Sequence, residues 1–163
     1  MGFTIHVDDA AVLAALRRLA GVFDDPSEIA KEIAALGENA TRLRFRTETA
    51  PDGTRWKPSL RAQISGGRTL TKDGHLVGSL SSKSGTDFAE WGVNRIYAAI
   101  HQFGGTIRAR NAGALRFRLA NGGFATVKAV KMPARPFLGI SPDDASDIVA
   151  VIERRLQGAL NAP

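Results

Sequence analysis

Between Pro51 and Gly74 the chain gathers Pro51, Gly53, Pro58, Gly66, Gly67 and Gly74 in a stretch with little periodicity. Proline fixes φ and lacks an N–H, and glycine favours backbone conformations closed to other residues, so no long helix or strand crosses such a segment. Residues of about 51–75 therefore read as a long irregular loop, and the rest of the chain must fold on either side of it. A loop of that length inside a compact domain is usually functional or mobile.

Upstream the pattern is helical. Phe3-Thr4-Ile5-His6-Val7 alternates weakly, as a short edge strand does. Asp8 or Asp9 then caps a helix with Val12, Leu13, Leu16 and Leu19 at helical spacing and Gly21 as its stop. Asp25 is the expected N-cap of a second helix, with Pro26 in its first position and Glu28 three residues after the cap. Ile29, Ile33, Leu36, Ala40 and Leu43 form its apolar stripe, which runs to about Arg46 with Gly37 as a weak point.

Downstream, Leu76 to Leu80 suggests a helical turn and Phe88 to Val93 a strand. Arg95 to Phe103 has the spacing of a short helix, ended by Gly104-Gly105. Leu115-Arg116-Phe117-Arg118-Leu119 alternates strictly, so one face is apolar and the other carries two arginines. Asn121-Gly122-Gly123 supplies the turn, and Phe124 to Val130 returns as the partner strand. Pro133 and Pro136 break regular structure before Ser141-Pro142-Asp143-Asp144 starts a last helix, with Ile148, Val151, Ile152, Ala159 and Leu160 toward the core. The expected fold is α+β: a mostly antiparallel sheet with N-terminal and C-terminal helices packed on it. Without internal repeats or a linker, residues 1–163 read as a single domain.

Charge is unevenly spread. Residues 1–50 carry 6 Lys/Arg against 8 Asp/Glu, residues 51–137 carry 14 against 4, and residues 138–163 carry 2 against 4. A basic middle between acidic ends suits nucleic acid, an acidic protein, or an oppositely charged face on a copy of the same chain. The arginines and lysines around the hairpin, Arg108, Arg110, Arg116, Arg118, Lys128 and Lys131, form a reasonable phosphate-contact stripe. No helix-turn-helix, zinc finger or aromatic RNA-binding signature accompanies them.

Catalytic chemistry finds few residues to work with. The absence of cysteine removes disulfides, thiolate metal sites and cysteine nucleophiles. His6, His75 and His101 lack partners at metal-ligand spacing. Asp52 and Asp73 each precede glycine, the ordinary sign of a turn. Neither Gly66-Gly67-Arg68-Thr69 nor Gly104-Gly105-Thr106 matches a phosphate-binding loop, and no Gly-x-Ser-x-Gly elbow is present. No apolar run approaches the ~20 residues of a membrane helix, and the N-terminus lacks the pattern of a secretory signal. A non-enzyme that needs no cofactor and folds in the cytoplasm where it is made is the expectation.

Four blocks in order carry a resemblance. They are Pro51-Asp52-Gly53-Thr54-Arg55-Trp56-Lys57-Pro58; Leu70 with Gly74-His75-Leu76-Val77-Gly78-Ser79-Leu80; Tyr97-Ala98-Ala99-Ile100-His101-Gln102-Phe103-Gly104-Gly105; and Met132-Pro133-Ala134-Arg135-Pro136-Phe137-Leu138-Gly139. Together they resemble the phage virion morphogenesis, or tail completion, family of Mu-like and P2-like phages, over about residues 40–160. One departure is Lys72-Asp73-Gly74-His75-Leu76, where the family commonly has a threonine before the glycine. The resemblance implies a non-enzymatic structural protein, in the virion and during assembly in the host cytoplasm, which completes the tail or joins it to the filled head. It further implies a ring of copies, often six, around the DNA channel, with other head–tail proteins as partners. A basic DNA-binding accessory of packaging is the alternative.

A ring needs one patch to meet a different patch on the next copy. Candidate interface residues are Trp56, Arg108, Arg110, Arg116, Arg118 and Arg135. Trp56 either anchors a neighbour or folds onto its own core. Arg135 meets a partner or a carboxylate of its own chain, while Phe137 is expected in the core.

Overall fold

Two helices joined at Asp25-Pro26 open the computed structural model, which describes residues 10–110, 113–119 and 122–162. The Phe3–Val7 strand, the Asp8 or Asp9 cap and Asn121 of the expected turn lie outside the described residues. Helix α1 spans Ala10–Asp24 and α2 spans Ser27–Thr47. Gly21 does not stop α1. A glycine inside a helix costs only about 1 kcal/mol, whereas Pro26 has no N–H to donate and enforces the break. The N-cap is Pro26 and not the expected Asp25, because the helix starts only at Ser27; the Asp25 carboxylate accepts the Ser27 N–H at 3.1 Å just ahead of it.

The face that α2 buries is not the expected aliphatic stripe. Ala30, Ala34, Gly37, Thr41, Arg44 and Phe45 are buried, while Leu43 is 49% exposed and Ile29, Ile33, Leu36 and Ala40 are only half-buried. The reason is close approach. A strand pair, β1 (Leu80–Ser84) and β2 (Ala89–Val93), lies across the helix and sets the Trp91 indole against Gly37. A Cβ at Gly37 would lie 2.3 Å from that ring, so the supposed weak point is the contact point. We expect Gly37→Ala to displace Trp91. The helix gain of about 1 kcal/mol is set against an overpacking cost of about 1–3 kcal/mol. Urea unfolding should show a net loss and fluorescence a red shift; unchanged fluorescence with higher stability would refute the close contact.

The loop after α2 is more ordered than its composition suggests. Ala50 N–H donates to the Thr54 carbonyl and Gly53 N–H to that of Ala50, closing a turn with Gly53 at φ +81°. Ser59 caps a short helix, α3 (Leu60–Ser65), which the sequence did not announce, by accepting the Ala62 N–H. The expected turn at Leu76 is α4 (His75–Gly78), and the short helix before Gly104-Gly105 is α5 (Ala98–Phe103).

A single sheet does not form. Among the described residues the strands make three two-stranded antiparallel ribbons: β1 with β2, β3 (Gly105–Arg108) with β6 (Ala129–Met132), and β4 (Leu115–Arg118) with β5 (Phe124–Val127). The α+β class holds, with the β part divided. The last helix, α6 (Pro142–Asn161), starts at Ser141 with a capping box to Asp144, as read. Of its expected core residues only Val151 is buried; Ile148 is half-buried, and Ile152 and Leu160 are exposed. Helix α6 packs along α2 and α1.

Candidate interaction surface

The four sequence blocks meet in one place. Trp56, from the first block, is 5% exposed and sets its ring edge-on to Phe45, with centroids 5.6 Å apart. Its indole N–H donates to the Pro136 carbonyl at 2.8 Å, inside the fourth block. Phe137 is fully buried, 5.2 Å from Phe45 on its other side, and Leu76 of the second block joins the same cluster. The third block supplies Gln102, whose side-chain oxygen accepts the Phe137 and Leu138 N–H groups at 3.0 Å while its amide donates to the Leu138 carbonyl. Of the two fates open to Trp56, the structure shows the inward one.

Arg135 also turns inward. It is 4% exposed, its Nε donates to the Lys57 carbonyl at 2.7 Å, and among the described residues no carboxylate lies within ion-pair distance. His101 sits beside it, with Nδ1 buried and without a hydrogen-bond partner. Burial, followed by the charge of Arg135, holds the His101 pKa below the ordinary imidazole value. These two residues line a cleft of about 690 Å³ whose apolar wall includes Leu60, Leu70, Leu76, Phe117 and Met132.

Arg108, Arg110, Arg116 and Arg118 are exposed, but so are Ile107 and Phe117, so neither face of these strands is covered. They belong to an arm made of two ribbons in series. The β3–β6 ladder continues through the Ala109 N–H to the Lys128 carbonyl and then into β4–β5. On one side of the arm Lys128 alone connects β5 to β6. Arg116 stands opposite Thr126 and Arg118 opposite Phe124, so both arginines share a face with Phe124. The Arg116 guanidinium lies 4.6 Å over the Phe124 ring, itself 60% exposed. Phe117, on the other face, is 40% exposed. From Trp91 to Pro142 the sequence has no Asp or Glu at all, so no acid moderates the arm's charge.

A complementary feature lies between α2 and α6. Leu36, Ala40, Leu43, Ala150 and Val151 line an open groove of about 970 Å³, with Asp143 and Asp147 also along it. Both aspartates are exposed, and neither forms an ion pair among the described residues. This groove was missed in the sequence because Leu36, Ala40 and Leu43 were assigned inward. Among the described residues no three His, Asp or Glu side chains are grouped as a metal site needs, and no helix is long and apolar enough to cross a membrane.

The aromatic core thus carries an acid-free arm, and the groove between α2 and α6 sets Asp143 and Asp147 beside Arg46 and Arg154. The chain belongs to the phage virion morphogenesis family, whose model matches residues 7–157. It is 32% identical to the Mu-like prophage FluMu G protein 2 of Haemophilus influenzae, covering 94% of this chain and 95% of that one. It is 30% identical to the putative capsid assembly protein G of Escherichia phage Mu, covering 98% and 97%. FluMu G protein 1 of Haemophilus influenzae is 27% identical over 91% of both chains. No solved structure matches the chain. Family and relatives support a role in building phage particles.

Proposed function

We propose that this protein is a tail-completion or head–tail joining subunit of a tailed phage or prophage, non-enzymatic, which works as a ring in the virion. In that ring each copy lays its arm into the α2–α6 groove of the next. The carrying observation is the match between the two surfaces. The arm offers Arg116, Arg118 and exposed Phe124, and the groove offers half-exposed leucine and alanine with Asp143 and Asp147. Such a contact is heterologous, joining unlike patches, and closes into a ring when the rotation per copy allows. Aromatic and arginine side chains are also the residue types that dominate interface energetics. Other head–tail proteins of the particle are the further partners on this reading.

The runner-up, a DNA-binding accessory of packaging, also has an observation behind it: an arm with arginines over an aromatic ring and no acid is suited to phosphate and base stacking. One pair of variants separates the two. Arg116→Glu/Arg118→Glu is expected to leave the melting temperature unchanged, because both side chains are exposed, and to abolish ring assembly in native mass spectrometry of the concentrated protein. Adding Asp143→Lys/Asp147→Lys should restore assembly by exchanging the signs. If the first pair instead removes salt-sensitive duplex DNA binding and the second restores nothing, the DNA reading replaces the ring.

A further inference from the structure

Arg135 presents a physical problem that the core does not solve. A buried charge costs several kcal/mol unless it is paired, and a guanidinium carries five N–H donors. Among the described residues one hydrogen bond, from Nε to the Lys57 carbonyl, is all that its guanidinium makes. His101, close enough to feel the Arg135 charge, adds an orphaned Nδ1 and no negative charge. A structural tie would be expected to use a carboxylate, as Arg44 does with Asp144 elsewhere in this protein.

The cleft that holds Arg135 has a one-sided character. Lys57 and Arg61 come from the loop and α3, Lys131 from β6, and Tyr97 borders α5. Lys72 and Asp73 before α4 and His75 at its start complete the charged and titratable lining, and Asp73 already has Lys72 at 3.9 Å. The remainder of the wall is largely apolar, from Leu60, Leu70 and Leu76 to Val130 and Met132. Phosphodiester chains would gain little from such a wall, whereas a side-chain carboxylate between apolar residues fits both parts.

We propose that this cleft is a docking site for an acidic side chain carried on an apolar peptide segment of a partner protein, with Arg135 as its anchor. The guanidinium receives the carboxylate, the cationic rim draws it in, and the leucines take the flanking residues. The site takes Phe117, Val130 and Lys131 from the arm but uses neither its Arg116–Phe124 face nor the α2–α6 groove, so it stands whether or not a ring forms.

The test is an NMR titration of the full chain with the blocked tripeptide acetyl-Leu-Glu-Leu-amide, its Gln counterpart and a short single-stranded oligonucleotide. The Glu peptide is expected to move the Arg135 Nε–H and His101 ring signals at millimolar concentration and to bind roughly tenfold or more tighter than the Gln peptide. A carboxylate beside Arg135 also stabilises the imidazolium, so the His101 pKa should rise when the Glu peptide binds. Arg135→Gln should remove the response, and Arg135→Lys, which keeps the charge without the fork, should weaken it. If Arg135→Gln does not fold, the Lys variant still reads the loss of the two-pronged contact. Equal binding of the two peptides, no movement of the Arg135 signal with the Glu peptide, or movement with the oligonucleotide alone would each overturn the proposal.

Discussion

Phe137→Ala should lower the stability of the isolated chain by about 3–5 kcal/mol, the range for removing a fully buried aromatic ring. Its ring is completely enclosed, tilted against Phe45, and the walls around it cannot easily close in. Pro136 fixes the backbone on one side, Gln102 clamps the Phe137 and Leu138 N–H groups, and Arg44 donates to the Phe137 and Gly139 carbonyls. A site that cannot relax keeps the cavity, and the cavity term adds to the lost transfer energy. Against a total stability of about 5–15 kcal/mol for a domain, such a loss leaves the fold marginal. Guanidinium unfolding followed by tryptophan fluorescence should show the midpoint falling sharply, with Phe137→Leu much milder. A loss under about 1 kcal/mol would mean that the pocket collapses and that the Gln102 clamp is not rigid.

Asp144→Ala should be nearly as damaging, because one carboxylate performs two tasks. It accepts the Ser141 N–H at 2.7 Å in the capping box and pairs with the buried guanidinium of Arg44. Removing one member of a buried pair typically costs about 3–5 kcal/mol, since the remaining charge stays desolvated. Loss of a helix cap adds about 1 kcal/mol. Replacing both partners by apolar residues is often close to neutral, so Arg44→Met/Asp144→Leu should be more stable than Asp144→Ala alone. Thermal unfolding of the cycle checks this, and simple additivity of the two single variants would refute the coupling.

Local chemistry was legible in the sequence where it has a short-range cause. The Ser141 cap, the turn at Gly122 and the alternation of Leu115 to Arg118 each follow from neighbouring residues, and each is found in the structure. What was not legible depends on distant partners. Residues Leu80–Ser84 have no apolar alternation, and they become a strand because Ala89–Val93 returns beside them across α2. The face of α2 shifts for the same reason, since only small residues admit the Trp91 ring. Likewise β3 finds β6 only after the whole hairpin has been inserted between them. At the candidate surface, the exposure of the hairpin arginines was legible from their charge, whereas the apolar face read for Leu115 to Leu119 is left uncovered, with Phe117 40% exposed. Trp56 and Arg135 were not resolved by sequence, because their direction is set by the Pro136 carbonyl and the Lys57 carbonyl, far along the chain.

Two-stranded ribbons have a property that a wide sheet lacks: every strand is an edge. Among the described residues no further strand pairs with the outer sides of β3–β6 and β4–β5, whose N–H and C=O groups can template another strand. An arm of this kind with exposed Phe117 and Phe124 would be an aggregation hazard if it were neutral. Its uniform positive charge makes any two arms repel, and lysine or arginine at a strand edge is a recognised gatekeeper. The charge that suits the arm to an unlike surface thus also keeps newly made copies from zipping together before that surface arrives.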